Sequence, residues 1–403
     1  MRKIPTGCWI AGCILAALQV TECMLCTPEG ACYWSQEAAG GFDNPLNYYI
    51  WSMAAMDGAL ICGTMNPLAG GEIYRCSESS GVETLAIGGI DDRDNAGFRC
   101  MRMFNDDLYI ASMNLFNGCR LFRFDGIGFA AIDDAEFYRP EVSSIRAMTQ
   151  FQNELLVATS SLEGLGAVWA SSDGRRWRRL SDYGFGVSDT VSLSVMTVFQ
   201  DDVMVGTWQA IGGCRLWRRR QGQWAQVNTG GFGNPDNLAA WSAALFHDRL
   251  YIGTMNWETG CEIWRSSDGA TWSRVATGGF GRMENAYAWS MAVHEDRLWT
   301  GTFNTSGGFE IWSTGNGVDW RLEAPAGLGD QDNYGARAMV ELDEALYVGT
   351  ANPYAGAQLW RHAPFIRVPG DEPDIRQAFE AAADGEEIRV APGTYAELVE
   401  FGG

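Results

Sequence analysis

Positive charge is scarce. Lys plus Arg total 29 against 50 Asp plus Glu, a formal net charge of -21, which repels phosphate backbones and anionic lipid surfaces and excludes nucleic acid as a partner. Histidine is rarer still, with only His247, His294 and His362. The first two fall near tight turns and the third near a strand end, so none is placed to activate a serine or cysteine nucleophile. Long hydrophobic runs are missing too. The longest, Cys8 to Val20, is too short to span a bilayer. After Met1-Arg2-Lys3 it reads instead as a secretion signal over residues 1–22. Within it, Ile10-Ala11-Gly12-Cys13 resembles the lipobox of bacterial lipoproteins. A secreted, periplasmic or cell-surface location is expected.

Eleven cysteines are present, but they lack a disulfide framework. Cys119, Cys214 and Cys261 share one repeat position and read as fillers of a small buried slot. Cys23, Cys26 and Cys32 are clustered enough for a local bridge, and their C-x2-C start is only a weak zinc signal.

What the chain has in quantity is 49 Gly, 17 Trp and 46% apolar residues over 403 positions, a composition suited to many short strands and tight turns. Self-similarity organises it. A small residue followed by Thr or Ser recurs as Gly63-Thr64, Ala111-Ser112, Ala158-Thr159, Gly206-Thr207, Gly253-Thr254, Gly301-Thr302 and Gly349-Thr350, at spacings of 48, 47, 48, 47, 48 and 48 residues. Ten residues after each hydroxyl stands an aromatic ring: Tyr74, Phe122, Trp169, Trp217, Trp264, Trp312 and Trp360. This period, with alternating apolar runs between Gly, Asn and Asp clusters, predicts four short antiparallel strands, A to D, per unit. The expected fold is all-β, a seven-bladed β-propeller over residues 32–363. The last unit lacks its strand D, and Trp34 to Phe42, which matches Trp272 to Phe280, is expected to supply it and close the ring.

The turns from C to D read Ser171-Ser172-Asp173-Gly174 to Trp177, Ser266-Ser267-Asp268-Gly269 to Trp272 and Ser313-Thr314-Gly315-Asn316-Gly317 to Trp320. They resemble the Asp-box of sialidases and many other propellers, in which a short side chain closes the hairpin onto its own N–H groups. The resemblance implies a scaffold turn and does not imply sialidase activity. The Phe/Tyr-Arg-Ile-Pro motif of sialidases has no counterpart beyond Tyr138-Arg139-Pro140.

After Pro364 the composition changes. Asp371 is expected to cap a helix with Ile375, Ala378, Phe379 and Ala382 on one face and Gly385 at its end, followed by a strand Glu387-Ile388-Arg389-Val390. The stretch from Asp374 to Tyr395 resembles the capping helix and first coil of pectin-lyase-type right-handed β-helices. Residues 364–403 are therefore expected to begin such a domain, which would need further stacked coils downstream.

Loops D-to-A and B-to-C share one face, where the innermost strands begin. Asn occurs 17 residues before the hydroxyl and again two after it in the same five units: Asn47 and Asn66, Asn95 and Asn114, Asn237 and Asn256, Asn285 and Asn304, Asn333 and Asn352. Side-chain capping of adjacent loops is the simplest account. Acids such as Asp91, Asp92 and Asp94 leave calcium as an alternative and no other cofactor.

Thirteen residues before the hydroxyl stand Trp51, Arg99, Arg146, Ser194, Trp241, Trp289 and Arg337. Six of these are large enough to contact a ligand. Indoles stack on sugar rings, and guanidinium forks bind carboxylates or sulfates. Trp51, Arg99, Arg146, Trp241, Trp289 and Arg337 are the candidate ligand-binding residues. In the competing account the indoles plug the centre and the arginines pair with Asp94, Glu141 and Asp332. A non-catalytic module binding a polysaccharide, acidic for preference, or an extracellular protein is the leading expectation. A glycoside hydrolase or lyase, which would need two carboxylates about 5–10 Å apart, and an adhesion scaffold are the alternatives.

Overall fold

The computed structural model describes residues 33–132, 135–161, 163–382 and 387–391. The expected signal, the Cys23–Cys26–Cys32 cluster, Gly385 and residues 392–403 of the expected β-helix coil lie outside the described residues. The chain is all-β with few helices. Strands Tyr49–Met56, Ala59–Met65, Ile73–Ser77 and Gly81–Ala86 form one antiparallel meander, A to D. The order repeats along the chain, with A strands Gly97–Phe104, Ser144–Phe151, Thr190–Phe199, Ala239–Phe246, Tyr287–His294 and Gly335–Leu342. Each strand A packs against strand A of the next unit, so these strands surround the axis.

Neighbouring units are joined where strand B meets the next strand A, as at Met65↔Gly97 and Phe303↔Gly335, and Ala351↔Tyr49 joins the last unit to the first. Gly301 shows why a small residue precedes the hydroxyl. A Cβ there would sit 2.3 Å from Ala336 Cβ in the adjoining strand A. Closure uses the N-terminal segment. Tyr33–Ala38 pairs antiparallel with Leu359–Ala363, through Trp34↔His362 and Gln36↔Trp360, as the strand D the last unit otherwise lacks.

The recurring Asn pairs form a buried polar ring. The side-chain amide of Asn285 donates to Gly279 O at 2.8 Å and to Glu310 Oε2 at 2.7 Å, while Asn304 Nδ2 and Thr302 Oγ1 donate to its oxygen. Asn47, Asn237 and Asn333 repeat the pattern with Glu72, Glu262 and Gln358 as the acceptors. Where the pair is missing, Thr190 Oγ1 still reaches Gly184 O and Gln209 donates to Thr190. These bonds tie each D-to-A loop to the following unit, which is the capping role. In the same loops Phe42, Phe185, Phe232 and Phe280 adopt positive φ. That conformation costs about 1–2 kcal/mol, and each ring stacks on the aromatic of the next strand C, Phe280 on Trp312 at 4.8 Å.

The C-to-D turns close locally. Asp268 Oδ1 accepts from Ala270 N and Thr271 N at 2.8 and 2.7 Å, and these bonds hold its carboxyl well below the usual range. Asp173 and Asn316 accept likewise. Cys119, Cys214 and Cys261 are buried free thiols, as their shared position implies, and burial pushes Cys119 and Cys214 up to about 12.

The C-terminal element differs from expectation in three ways. Asp374, not Asp371, caps the helix Ile375–Ala381, accepting from Gln377 N at 2.7 Å. Asp371 is instead buried against Arg361 and Arg367, two cations that need a carboxylate more than the helix end does. Phe379 stays exposed, and Ala378 is the side chain the helix buries against Ile366 and Val368. A strand also precedes the helix. Phe365–Val368 pairs in parallel with Glu387–Val390 in register Ile366↔Ile388. Among the described residues no helix is long and apolar enough to cross a membrane.

The seam carries a titratable weakness. Trp34 is buried, with its ring 4.9 Å from His362 and 6.4 Å from Trp299. Among the described residues the ring nitrogens of His362 and His294 have no hydrogen-bond partner, and burial pushes the two imidazoles down to about 3 and about 4. Both folded-state values lie below that of a free imidazole, so the unfolded chain takes up protons first as pH falls below about 6.5. Stability from this source is complete above about pH 6.5 and declines below it, by up to about 1 kcal/mol per pH unit for each ring. The urea midpoint is expected to fall between pH 6.5 and 5, and His294→Phe/His362→Phe to flatten that slope. An unchanged slope in the double variant would remove the imidazoles as its cause.

Candidate functional site

In every unit the pairing of strand A with strand B slips by one residue near the start of A. The slips fall between Ile50 and Ser52, Phe98 and Cys100, Ile145 and Ala147, Leu193 and Val195, Ala240 and Ser242, Ala288 and Ser290, and Ala336 and Ala338. The skipped residues are Trp51, Arg99, Arg146, Ser194, Trp241, Trp289 and Arg337. Each candidate residue is thus the extra residue of a β-bulge, a device that breaks the in–out alternation and re-aims one side chain. Because strand A lines the axis, the bulges set one ring of side chains there. Spacing located this ring, but the bulge that forms it has no sequence mark of its own.

The indoles are accommodated by missing side chains. A Cβ on Gly335 would lie 2.1 Å from Trp289 Cζ3, and one on Gly97 would lie 2.6 Å from Trp51 Cε3. Trp51 and Trp289 are buried and Trp241 is half-buried. They extend into a larger aromatic wall that repeat spacing did not reveal, because its other members fall outside the position 13 before the hydroxyl and recur in only some units. Trp241 meets Tyr287 at 4.9 Å, Tyr287 meets Trp289 at 5.6 Å, Trp289 meets Tyr49 at 6.2 Å, and Tyr49 meets Trp51 at 5.9 Å. Tyr334 donates to the Tyr49 hydroxyl.

The three arginines lie in half-buried positions against this wall. The Arg99 guanidinium carbon is 4.6 Å from the Trp51 ring centre, that of Arg146 is 4.9 Å from Trp241, and that of Arg337 is 5.5 Å from Trp289. Arg146 also donates to Ser192 Oγ at 3.0 Å. Among the described residues no carboxylate lies within ion-pairing distance of any of the three, and Asp94 accepts from Asn117 instead. The account in which loop acids neutralise the arginines is therefore not what the structure contains, although the indoles do fill part of the centre.

Charge follows from this arrangement. Burial, then repulsion from Arg146 and Arg337, holds Arg99 well below its ordinary value. Burial and Arg337 push Arg146 down to about 9, and burial pushes Arg337 down to about 10. Arg99 and Arg146 stand in neighbouring units and Arg337 in the last unit, with only the first unit between it and Arg99, and the shared bulge position sets all three at the axis. Arg146 and Arg337 remain cations at neutral pH. Buried Nε atoms of both have no hydrogen-bond partner. The site is a desolvated cationic cluster on an aromatic floor, inside a protein of net charge -21.

Carboxylate chemistry is absent from it. Tyr74 donates to Glu72, but Trp264 and Trp312 make the same bond to Glu262 and Glu310, so the pair belongs to the polar scaffold. Among the described residues no group of three or more His, Cys, Asp or Glu side chains is arranged to hold a metal. Asp92 and Asp94 accept hydrogen bonds from Asn114 and Asn117.

A closed ring of antiparallel four-stranded units around a central axis defines a β-propeller, and comparison with solved structures agrees. The structure of YCF48 bound to D1 peptide matches over 85% of this chain and 99% of its own, at a TM-score of 0.56 and 12% identity. At that identity the likeness is one of fold. No family model and no curated protein sequence matches the chain.

Unneutralised buried cations cost stability, and an apolar side chain of similar length removes that cost. Arg146→Met is expected to stabilise the fold by about 1 kcal/mol or more, read as a higher thermal midpoint at pH 7. A clear loss of stability would make Arg146 a scaffold residue.

Proposed function

We propose that the chain is a non-catalytic recognition propeller of seven blades, whose channel, at the face carrying the D-to-A and B-to-C loops, binds an anionic partner, either a polysaccharide or an extracellular protein. The observation that carries this reading is the set Arg99, Arg146 and Arg337 at one bulge position, with no carboxylate within ion-pairing distance among the described residues. Retaining desolvated guanidinium groups side by side is unfavourable unless something bound restores their electrostatic balance. Trp51, Trp241 and Trp289 offer ring faces beside the cations, which suits a ligand with an apolar or ring-shaped body next to its charge. A neighbour in fold, YCF48, is known with a peptide bound, which supports a binding role for such a scaffold.

The same reading extends to organisation. Residues 32–363 form the propeller, with turns of Asp-box type, and residues 1–22 direct export. The segment from Pro364 onward is the start of a parallel β-helix. The parallel pair Phe365–Val368 and Glu387–Val390, with the helix Ile375–Ala381 between them, supports this last point. A glycosidase reading gains nothing from the site, which offers cations where paired carboxylates are needed.

Titration with short galacturonate oligomers and a peptide carrying one glutamate as carboxylate probes, and dextran as the neutral control, tests the channel through tryptophan fluorescence. At least one carboxylate probe is expected to quench, and Arg146→Gln and Trp241→Ala are each expected to weaken it by about tenfold. Equal quenching by dextran, or a response indifferent to both substitutions, would overturn the proposal.

A further inference from the structure

The loops around the channel carry a second, unlike feature. Four residues after the repeat hydroxyl, at the tips of B-to-C loops, stand Leu68, Phe116, Ile211 and Tyr354, which are 69%, 72%, 66% and 77% exposed. Trp257, three after its hydroxyl, is half exposed. These tips share the face on which the A strands begin. Nothing in the repeat requires apolar groups there, since the equivalent positions hold Glu258 and Ser306 in other units. The rim is also continuous with the floor of the site, because Trp257 meets Tyr287 at 5.1 Å and Tyr287 meets Trp241 at 4.9 Å. Beside Phe116 a cleft of about 260 Å³ has Leu115, Phe116 and Pro140 on one side and Glu141, Ser143 and Glu163 on the other, so it is apolar in part only.

Acids outnumber cations on these loops, where Arg93 and Arg139 are the exposed basic residues. Asp91, Asp94, Glu141, Asp236, Glu284 and Asp332 are exposed on the same face. A long polyanion reaching Arg99, Arg146 and Arg337 would have to pass these acids, and each segment that comes within about one Debye length of 8–10 Å of them is repelled at moderate salt. A ligand with a single negative charge seated at the centre and uncharged apolar groups outside it meets no such repulsion. Polysaccharides offer hydroxylated rings and no aliphatic or aromatic side chains for Leu68, Phe116, Ile211 and Tyr354 to cover. Polypeptides offer both parts.

We infer that the partner is a polypeptide segment that inserts one carboxylate, an acidic side chain or a free C-terminus, among Arg99, Arg146 and Arg337 while flanking apolar side chains cover the loop-tip rim. This rests on the anion-binding reading of the channel and names the class of partner. Charge complementarity at the centre selects the carboxylate. Repulsion by the surrounding acids limits it to one, and the apolar tips supply the burial that a lone ion contact lacks.

Selection from a randomised octapeptide library against the full chain tests it, with selected sequences resynthesised and measured against three proteins: the wild type, Arg99→Gln/Arg146→Gln and Phe116→Ser/Tyr354→Ser. Enriched peptides are expected to hold one carboxylate within two positions of aliphatic or aromatic residues, and to lose at least about tenfold in affinity for each variant. The rim variant changes exposed side chains only, and a thermal melt verifies that both variants are folded. Peptides selected without regard to charge, or binding the rim variant unchanged, would overturn the inference. If no peptide is selected while oligogalacturonate binds in an Arg146-dependent way, the channel reading stands and the polypeptide falls. If neither probe binds, both fall.

Discussion

Everything in this structure depends on closing a ring. Each four-stranded unit buries its faces only against its neighbours, and a sheet edge left open would expose unpaired backbone groups. The pairing of Tyr33–Ala38 with Leu359–Ala363 removes that edge and brings residues more than 300 positions apart into one blade. It also explains why Trp34 is among the most deeply buried side chains although it stands at the edge of the described chain. Its indole completes a cluster with Trp299, Trp360 and Leu346 that no single unit could assemble. The cost of this arrangement is the uncharged His362–His294 pair beneath it, which resists protonation and so couples the seam to pH.

A closed ring has a second consequence at its centre. Neighbouring A strands converge on the axis, where regular alternation would turn every second side chain along each strand inward. A bulge at the same place in every unit instead projects one selected residue. The outer scaffold can therefore stay nearly identical from unit to unit, with buried Asn side chains and stacked Phe–Trp pairs, while the inward position varies among Trp, Arg and Ser. Placing three of the arginines there without acids sacrifices stability for a field that water alone does not satisfy. The protein tolerates it because the guanidinium planes lie against indole rings, which offer partial compensation through their negative faces.

How much of this was legible in advance follows from what each feature requires. The unit length, the strand-to-strand aromatic and the donor of the missing strand could be read because each is repeated, and repetition separates signal from accident. The identity of the ring residues was legible for the same reason. The aromatic wall was not. Tyr49 and Tyr287 share one position, 15 residues before the hydroxyl, but Phe303 and Tyr334 stand elsewhere in their units, and only convergence at the axis makes the four neighbours. Nor could spacing show that Asp371 would leave the helix end for Arg361 and Arg367, since local capping preference is weak against two buried cations. Asp374, three residues on, meets the capping requirement equally well.

By itself the sequence determined the repeat, the antiparallel strands, the complementary ends, and which side chains hold the central position, because all of these are encoded in local periodicity. Only the tertiary structure decided that the arginines there face one another and not the loop acids. That outcome depends on the direction in which a bulge points a side chain and on the distance across a closed ring, and neither quantity is written in the order of residues along the chain.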